Sequence, residues 1–218
     1  MAMEPKTNRL ILAIAAPAIG GLLSGCSGGE ERAESPEPGR CETLLGAENV
    51  EAAVETTGGS DDEVGGTPQA DVLAERLVRE AKQWQESDLQ HTRYTGCRMD
   101  AFEGDEISGT VDVTVKWSAL SPGVMDSPEN SRTWRQANRS VHVEPEAAPG
   151  LMRLIAARAV PGTIDSQPSD QPLRFDVPGA SPGTELRWEL LSTLARSVVE
   201  EMHCTKPPVI PSALPAAA

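Results

Sequence analysis

Residues 109–118 read Gly109-Thr110-Val111-Asp112-Val113-Thr114-Val115-Lys116-Trp117-Ser118. Val111, Val113, Val115 and Trp117 alternate strictly with Asp112, Thr114, Lys116 and Ser118, the period of two that gives a strand one apolar and one polar face. The apolar face needs a cover, and helical patterns on either side of it in the chain supply one. Upstream, Ala70, Leu73, Leu77, Ala81 and Trp84 recur at steps of three and four, with Thr67 as the expected N-cap, Pro68 at the first helical position and Trp84 as a core anchor. Downstream, Leu186, Leu190, Leu191, Leu194, Val198 and Met202 line one face of a helix expected to be capped by Thr184. That helix is expected to end at His203-Cys204, before Pro207-Pro208 forbids continuation. The expectation is an α+β domain, an antiparallel sheet with helices packed on one face.

Around this frame the remaining segments fall into place. Leu45, Val50, Ala53 and Val54 suggest a short opening helix with Gly58 as its stop, and Gly58 to Gly66 reads as an acidic loop. Consecutive Asp61, Asp62 and Glu63 lack the alternate spacing of a Ca²⁺ loop. Thr92 to Met99 is a second expected strand, joined to the first by a polar loop over Asp100 to Ser108. Ser121 to Ala137, Pro- and Ser-punctuated, is a long surface excursion carrying Trp134. Short strands are expected at Ser140 to Val143 and Leu173 to Val177. Residues 151–160 are ambiguous between helix and strand by periodicity alone. One domain is expected over 41–206, with 207–218 a disordered tail.

The N-terminus carries an address. Lys6 and Arg9 precede the apolar run Leu10 to Leu23, which is too short and too broken by Pro17 and Gly20-Gly21 to span a bilayer. The run ends in Leu23-Ser24-Gly25-Cys26, which is similar to a bacterial lipobox. That resemblance implies a lipoprotein signal peptide over 1–25, with lipidation at Cys26. Residues 26–40, rich in Gly, Pro, Ser and Glu, then form a flexible tether reaching about 20 Å. The expected location is the extracytoplasmic face of the cell membrane, held by an acyl anchor whose chains contribute about 0.8 kcal/mol per buried CH₂.

The net charge of −14 becomes one unit more negative once Glu4, Lys6 and Arg9 leave with the leader. Such a balance argues against nucleic acid, whose phosphates need a cationic face, and against adhesion to anionic lipid surfaces. Seven aromatic residues leave the core to Val, Leu, Ile, Ala and Met, with tryptophans as anchors. Four lysines against fifteen arginines, amid abundant Ala, Gly and Pro, look like the usage of a high-GC actinomycete.

With Cys26 committed to lipid, Cys41, Cys97 and Cys204 remain, an odd number in an oxidising compartment, and their pairing is open from the residues alone. The opening Cys41-Glu42-Thr43-Leu44-Leu45 after the tether, a Cys in a first strand, a Val-alternating second strand and a closing helix ending in Cys together resemble secreted lipoproteins of actinomycetes. The resemblance implies a Cys41–Cys97 disulfide, with Cys204 a free thiol or a bridge to another chain. It brings no activity with it.

Chemistry by motif is sparse. Gly179-Ala180-Ser181-Pro182-Gly183 has the G-x-S-x-G spacing, but a nucleophile elbow uses the backbone N–H after the serine, and Pro182 has none. His91, His142 and His203 show no metal-ligand spacing, and no phosphate-cradling glycine pattern occurs. No metal, cofactor or catalytic residue is expected. Asn138-Arg139-Ser140 matches a glycosylation acceptor and is set aside in a bacterial setting. The expected function is a binding or interaction module for an envelope protein or small ligand, supported by an apolar groove beside Trp117 or Trp134. The alternative is an envelope hydrolase whose cleft gathers carboxylates around His91 or His142.

Overall fold

The computed structural model describes residues 40–58, 61–65, 69–88, 90–167, 171–179, 182–203 and 207–216. Two helices open the domain: α1 (Arg40–Leu45) and α2 (Ala47–Thr57), separated by Gly46 at φ 86 and closed by Gly58 at φ 73 in the left-handed region. Strand β1 (Asp61–Gly65) and helix α3 (Ala70–Gln83) follow. The hairpin β2 (Tyr94–Glu103) and β3 (Glu106–Trp117) leads to the short helix α4 (Pro122–Met125). Then come β4 (Arg135–Asn138), β5 (Val141–Ala148), β6 (Leu151–Ala156), β7 (Leu173–Pro178) and the long helix α5 (Thr184–Glu201). The strands form one antiparallel sheet in the order β1-β2-β3-β7-β6-β5-β4.

The register explains the core. Val111, Val113, Val115 and Trp117 of β3 share a face with Cys97 and Met99, Phe175 and Val177, Met152 and Leu154, Val141 and Val143. All are buried in one cluster with Leu73 and Leu77 of α3 and Leu190, Leu191, Leu194 and Val198 of α5. Trp117 is wholly buried, and its Nε1 donates to Leu77 O at 2.9 Å, fastening α3 to the central strand.

Several expectations give way to the structure. The acidic segment after Gly58 contains edge strand β1, paired from Asp61 opposite Phe102 to Gly65 opposite Arg98. Backbone pairing needs no apolar side chains, and charged residues are common on sheet edges. The expected loop Asp100 to Ser108 is mostly strand: the turn is Gly104-Asp105, with Gly104 alone at positive φ (67), the pattern of a II′ hairpin. Ser108 forms a bulge and its Oγ donates to Ala101 O at 3.1 Å.

Residues 151–156 are strand. Leu154 faces the helices while Ile155 faces the other way into a second cluster with Met125 and Trp134, so both faces are apolar and the alternation is lost. The excursion 121–137 thus folds back over the outer face of the sheet at β6 and carries α4 and β4. Helix α3 takes Gln69 as its N-cap, and the expected cap Thr67-Pro68 lies outside the described residues. Trp84 is the half-exposed C-cap of α3, not a core anchor, with its Nε1 donating to Asp88 O at 3.2 Å. Gly183, not Thr184, caps α5. The tail expected to be loose is fastened instead: Ile210 is buried, Asn138 Nδ2 donates to Val209 O and Arg135 Nη1 to Pro215 O, each at 2.8 Å.

A disulfide joins Cys41 of α1 to Cys97 of β2, with their Cα atoms 5.5 Å apart. Next to it, Gly96 is the unpaired residue of a bulge between Thr95 and Cys97. A Cβ there would lie 3.1 Å from Leu194 Cδ1 and 3.3 Å from Leu44 Cδ2, so a glycine lets α1 and α5 close on the strand.

Candidate functional site

Over β2, β3 and β7 the face of the sheet away from the four longer helical segments is polar, because the even-numbered residues of β3 and their cross-strand neighbours point there, whereas at β6 it carries the apolar cluster of Ile155, Met125 and Trp134. At the β2 end, Arg98 Nε donates to Asp100 Oδ2 at 2.7 Å, and Thr110 Oγ1 to Asp100 Oδ1 at 2.6 Å. Arg93 Nη2 donates to Asp112 Oδ2 at 2.9 Å. Burial nevertheless raises the Asp112 carboxyl above its ordinary range, more than Arg93, Arg98 and the Thr95 hydroxyl lower it. Toward β6, Asp176 accepts from two guanidiniums, Arg174 Nε at 2.7 Å and Arg153 Nε at 3.1 Å, and Arg153 Nη1 also donates to Glu144 at 2.9 Å.

This ladder runs into a cleft of about 510 Å³ lined by Gln90, His91, Lys116, Ser118, Leu120 and Arg174, beside Trp117, whose side chain is buried on the helix-facing side of the strand. Lys116 lies directly opposite Arg174 in the β3–β7 register. Burial, then Arg174, push the Lys116 ammonium below its ordinary value, and Asp176 opposes the shift. Ser118 Oγ accepts from Leu120 N at 3.2 Å, which leaves its O–H available as a donor. His91 forms the wall next to α3: its Nδ1 lies 3.4 Å from Glu80 Oε1 and 3.3 Å from Gln171 Nε2. Glu80 also accepts from Thr92 N and from Tyr94 O–H, each at 3.1 Å, so one carboxylate pins the entry of β2 to α3. Burial, then the Glu80 charge, raise the Tyr94 phenol.

A second cleft of about 550 Å³ lies beside Trp134, lined by Arg132, Thr133, Arg135, Pro145 and Glu146. Its Glu146 accepts from the buried Arg187 at 2.8 Å. Clefts therefore adjoin both tryptophans singled out by sequence: the one at Trp117 is mainly polar instead of the expected apolar groove, whereas the one beside Trp134 presents more apolar than polar surface, with charged side chains at its rim. The two candidate histidines are held apart in role: His91 meets Glu80, whereas His142 Nε2 lies 2.8 Å from Asp126 Oδ1 and ties the α4 segment to β5. Sequence reading passed over Arg174, Arg153 and Asp176, because a strand as short as Leu173–Pro178 gives no sign of which neighbours its polar face will meet.

Cys26, Ser181 and Cys204 lie outside the described residues. Among the described residues, no group of three or more His, Cys, Asp or Glu could hold a metal ion, and no helix is long and apolar enough to cross a membrane. The Cys41–Cys97 disulfide is the usage of an oxidising, extracytoplasmic compartment. Comparison with family models, curated proteins and solved structures found no match for this chain.

Proposed function

We propose that the chain is an exported lipoprotein, cleaved before Cys26 and acylated there, whose domain serves as a binding module on the outer side of the cell membrane. The observation that carries the reading is the asymmetry of the sheet. One face is sealed by α1, α2, α3 and α5, while the other stays partly open, lined by side chains fixed in cross-strand pairs and ending in a polar cleft. Strands β3 and β7 hold Lys116 and Arg174 in place at that cleft, which suits recognition. The disulfide and the segment before Cys41 support export, and the resemblance to actinomycete secreted lipoproteins supports the anchor.

The test pairs fractionation with capture. Wild-type chain expressed in an actinomycete host is expected in the membrane fraction with an acyl-modified Cys26 peptide in its mass spectrum, and Cys26→Ala is expected to leave that fraction. Crosslinking from native membranes, or a small-molecule screen against the domain, is expected to recover a specific partner or ligand. Membrane retention of Cys26→Ala would overturn the anchor, and recovery of nothing specific by either route would overturn the binding module.

A further inference from the structure

We infer that the cleft beside Trp117 is a binding site for a small phosphate ester, held by Lys116, Arg174 and Ser118. The inference rests on reading the domain as a binding module and names what that module takes. Like charges placed directly opposite on neighbouring strands are destabilising, yet Lys116 faces Arg174 in this register. Local carboxylates do not balance the group. Asp176 serves both Arg174 and Arg153, Glu144 serves Arg153, and Lys116 makes no ion pair among the described residues. On β3, β7, β6 and β5 three cations thus meet two anions, leaving one positive charge over on the Lys116–Arg174 side of the cleft, while Glu80 stands behind His91 on the other wall.

The donors at the cleft fit an oxyanion. Arg174 commits its Nε to Asp176, which fixes the guanidinium plane and leaves the terminal nitrogens as donors. Ser118 sits two residues beyond Lys116 on the same polar side and keeps a hydroxyl proton to give. Lys116 adds a point charge whose ammonium, depressed by burial and Arg174, gains most from an incoming anion. The volume, about 510 Å³, falls within the range of small-ligand sites, and the polar wall suits a group that brings its own charge. A tetrahedral phosphate, accepting from several directions at once, matches an ammonium, a guanidinium and a hydroxyl better than a planar carboxylate does.

The domain is titrated with inorganic phosphate, glycerol phosphate and acetate and followed by amide NMR. Saturable shifts at Ser118, Ala119 and the His91 ring, with phosphate and its ester but not with acetate, are expected. Lys116→Met, which keeps the aliphatic stem, should weaken the binding about tenfold or more, the loss expected for a charged contact, and Lys116→Arg should restore most of it. If Lys116→Met does not fold, Ser118→Ala carries the test with the same sign. Sedimentation with vesicles containing phosphatidylglycerol, compared with phosphatidylcholine alone, separates a lipid headgroup from a soluble ester as the source of the phosphate, and binding to either supports the site. Absence of saturable shifts, equal affinity in the variants, or acetate binding as well as phosphate would each overturn it. Membrane anchoring and partner capture are read independently, so failure here refutes the phosphate site alone.

Discussion

Removing the Cys41–Cys97 disulfide is the perturbation whose magnitude the structure allows to be worked most directly. The bridge closes a loop of 56 residues that contains α2, β1 and α3. In the chain-entropy model, a loop of that length withdraws about 14 cal/mol/K from the unfolded chain, or about 4 kcal/mol at room temperature. Both half-cystines are buried, so a Cys41→Ala, Cys97→Ala double variant also loses packing beside Gly96, of the order of 1 kcal/mol. For a domain of this size the sum corresponds to a fall in melting temperature of roughly 10–20 °C. Urea unfolding with and without reductant is the assay. The midpoint should fall and the slope should rise on reduction, because the released unfolded chain exposes more surface. Cys204→Ser should keep the full stability and the same response to reductant. A reduced domain within about 1 kcal/mol of the oxidised one would refute the entropic reasoning. A Cys204→Ser variant that lost the response would refute the pairing.

The remaining predictions follow from single positions. Gly96→Ala places a Cβ against Leu194, Leu44 and the Val113 carbonyl and should cost about 1–3 kcal/mol in urea unfolding; an unchanged midpoint would show that α1 and α5 do not close on the bulge. Truncation after Pro208 removes the burial of Ile210 and the bonds from Asn138 and Arg135, and should cost on the order of 3 kcal/mol by the same measurement. The Asp112 carboxyl, raised by burial, should titrate above the ordinary carboxylate range in a ¹³C NMR pH series. Between the ordinary value and the raised one, the folded chain holds a proton that the unfolded chain has lost. This group therefore adds stability as pH falls through that window and loses it as pH rises, and Asp112→Asn should remove that slope.

How much was legible follows the physics of each segment. Val111 to Trp117 announces its strand because one face meets helices and the other meets polar neighbours, and α3 and α5 announce themselves by their apolar stripes. The hairpin tip was misread because Asp100, Glu103, Asp105 and Glu106 look like a loop, although Asp100 is held within the sheet by Arg98 and Thr110. Strand β6 is ambiguous between helix and strand by periodicity because Met125 and Trp134 cover Ile155 on the side that strict alternation would leave polar. The tail looked loose by composition, since Pro and Ala do not reveal that Ile210 reaches the core. Of the cleft, Lys116, Trp117 and His91 drew notice individually. Their meeting with Arg174 depends on β7 pairing with β3 across a long sequence gap, which no local pattern records.

That late-arriving strand also sharpens the argument for the site. In the middle of the polar face opposite charges meet in register, Arg98 across from Asp112 and Arg153 across from both Glu144 and Asp176, whereas like charges stand opposite at the β1 edge, Glu63 and Asp100, and at the hairpin tip, Glu103 and Glu106. Lys116 across from Arg174 is a like-charge pair between two central strands, β3 and β7, at the point where the sheet opens into a cleft. Sequences that specify a fold are locally consistent, and breaches of that consistency collect where function outweighs stability. Substituting Lys116 by Met should therefore leave the domain as stable as before or more so, because it removes a half-buried cation that repels Arg174, while weakening the affinity for phosphate about tenfold or more. Stability and binding moving in opposite directions in one variant would separate a ligand site from a merely tolerated surface lysine, for which both would stay unchanged.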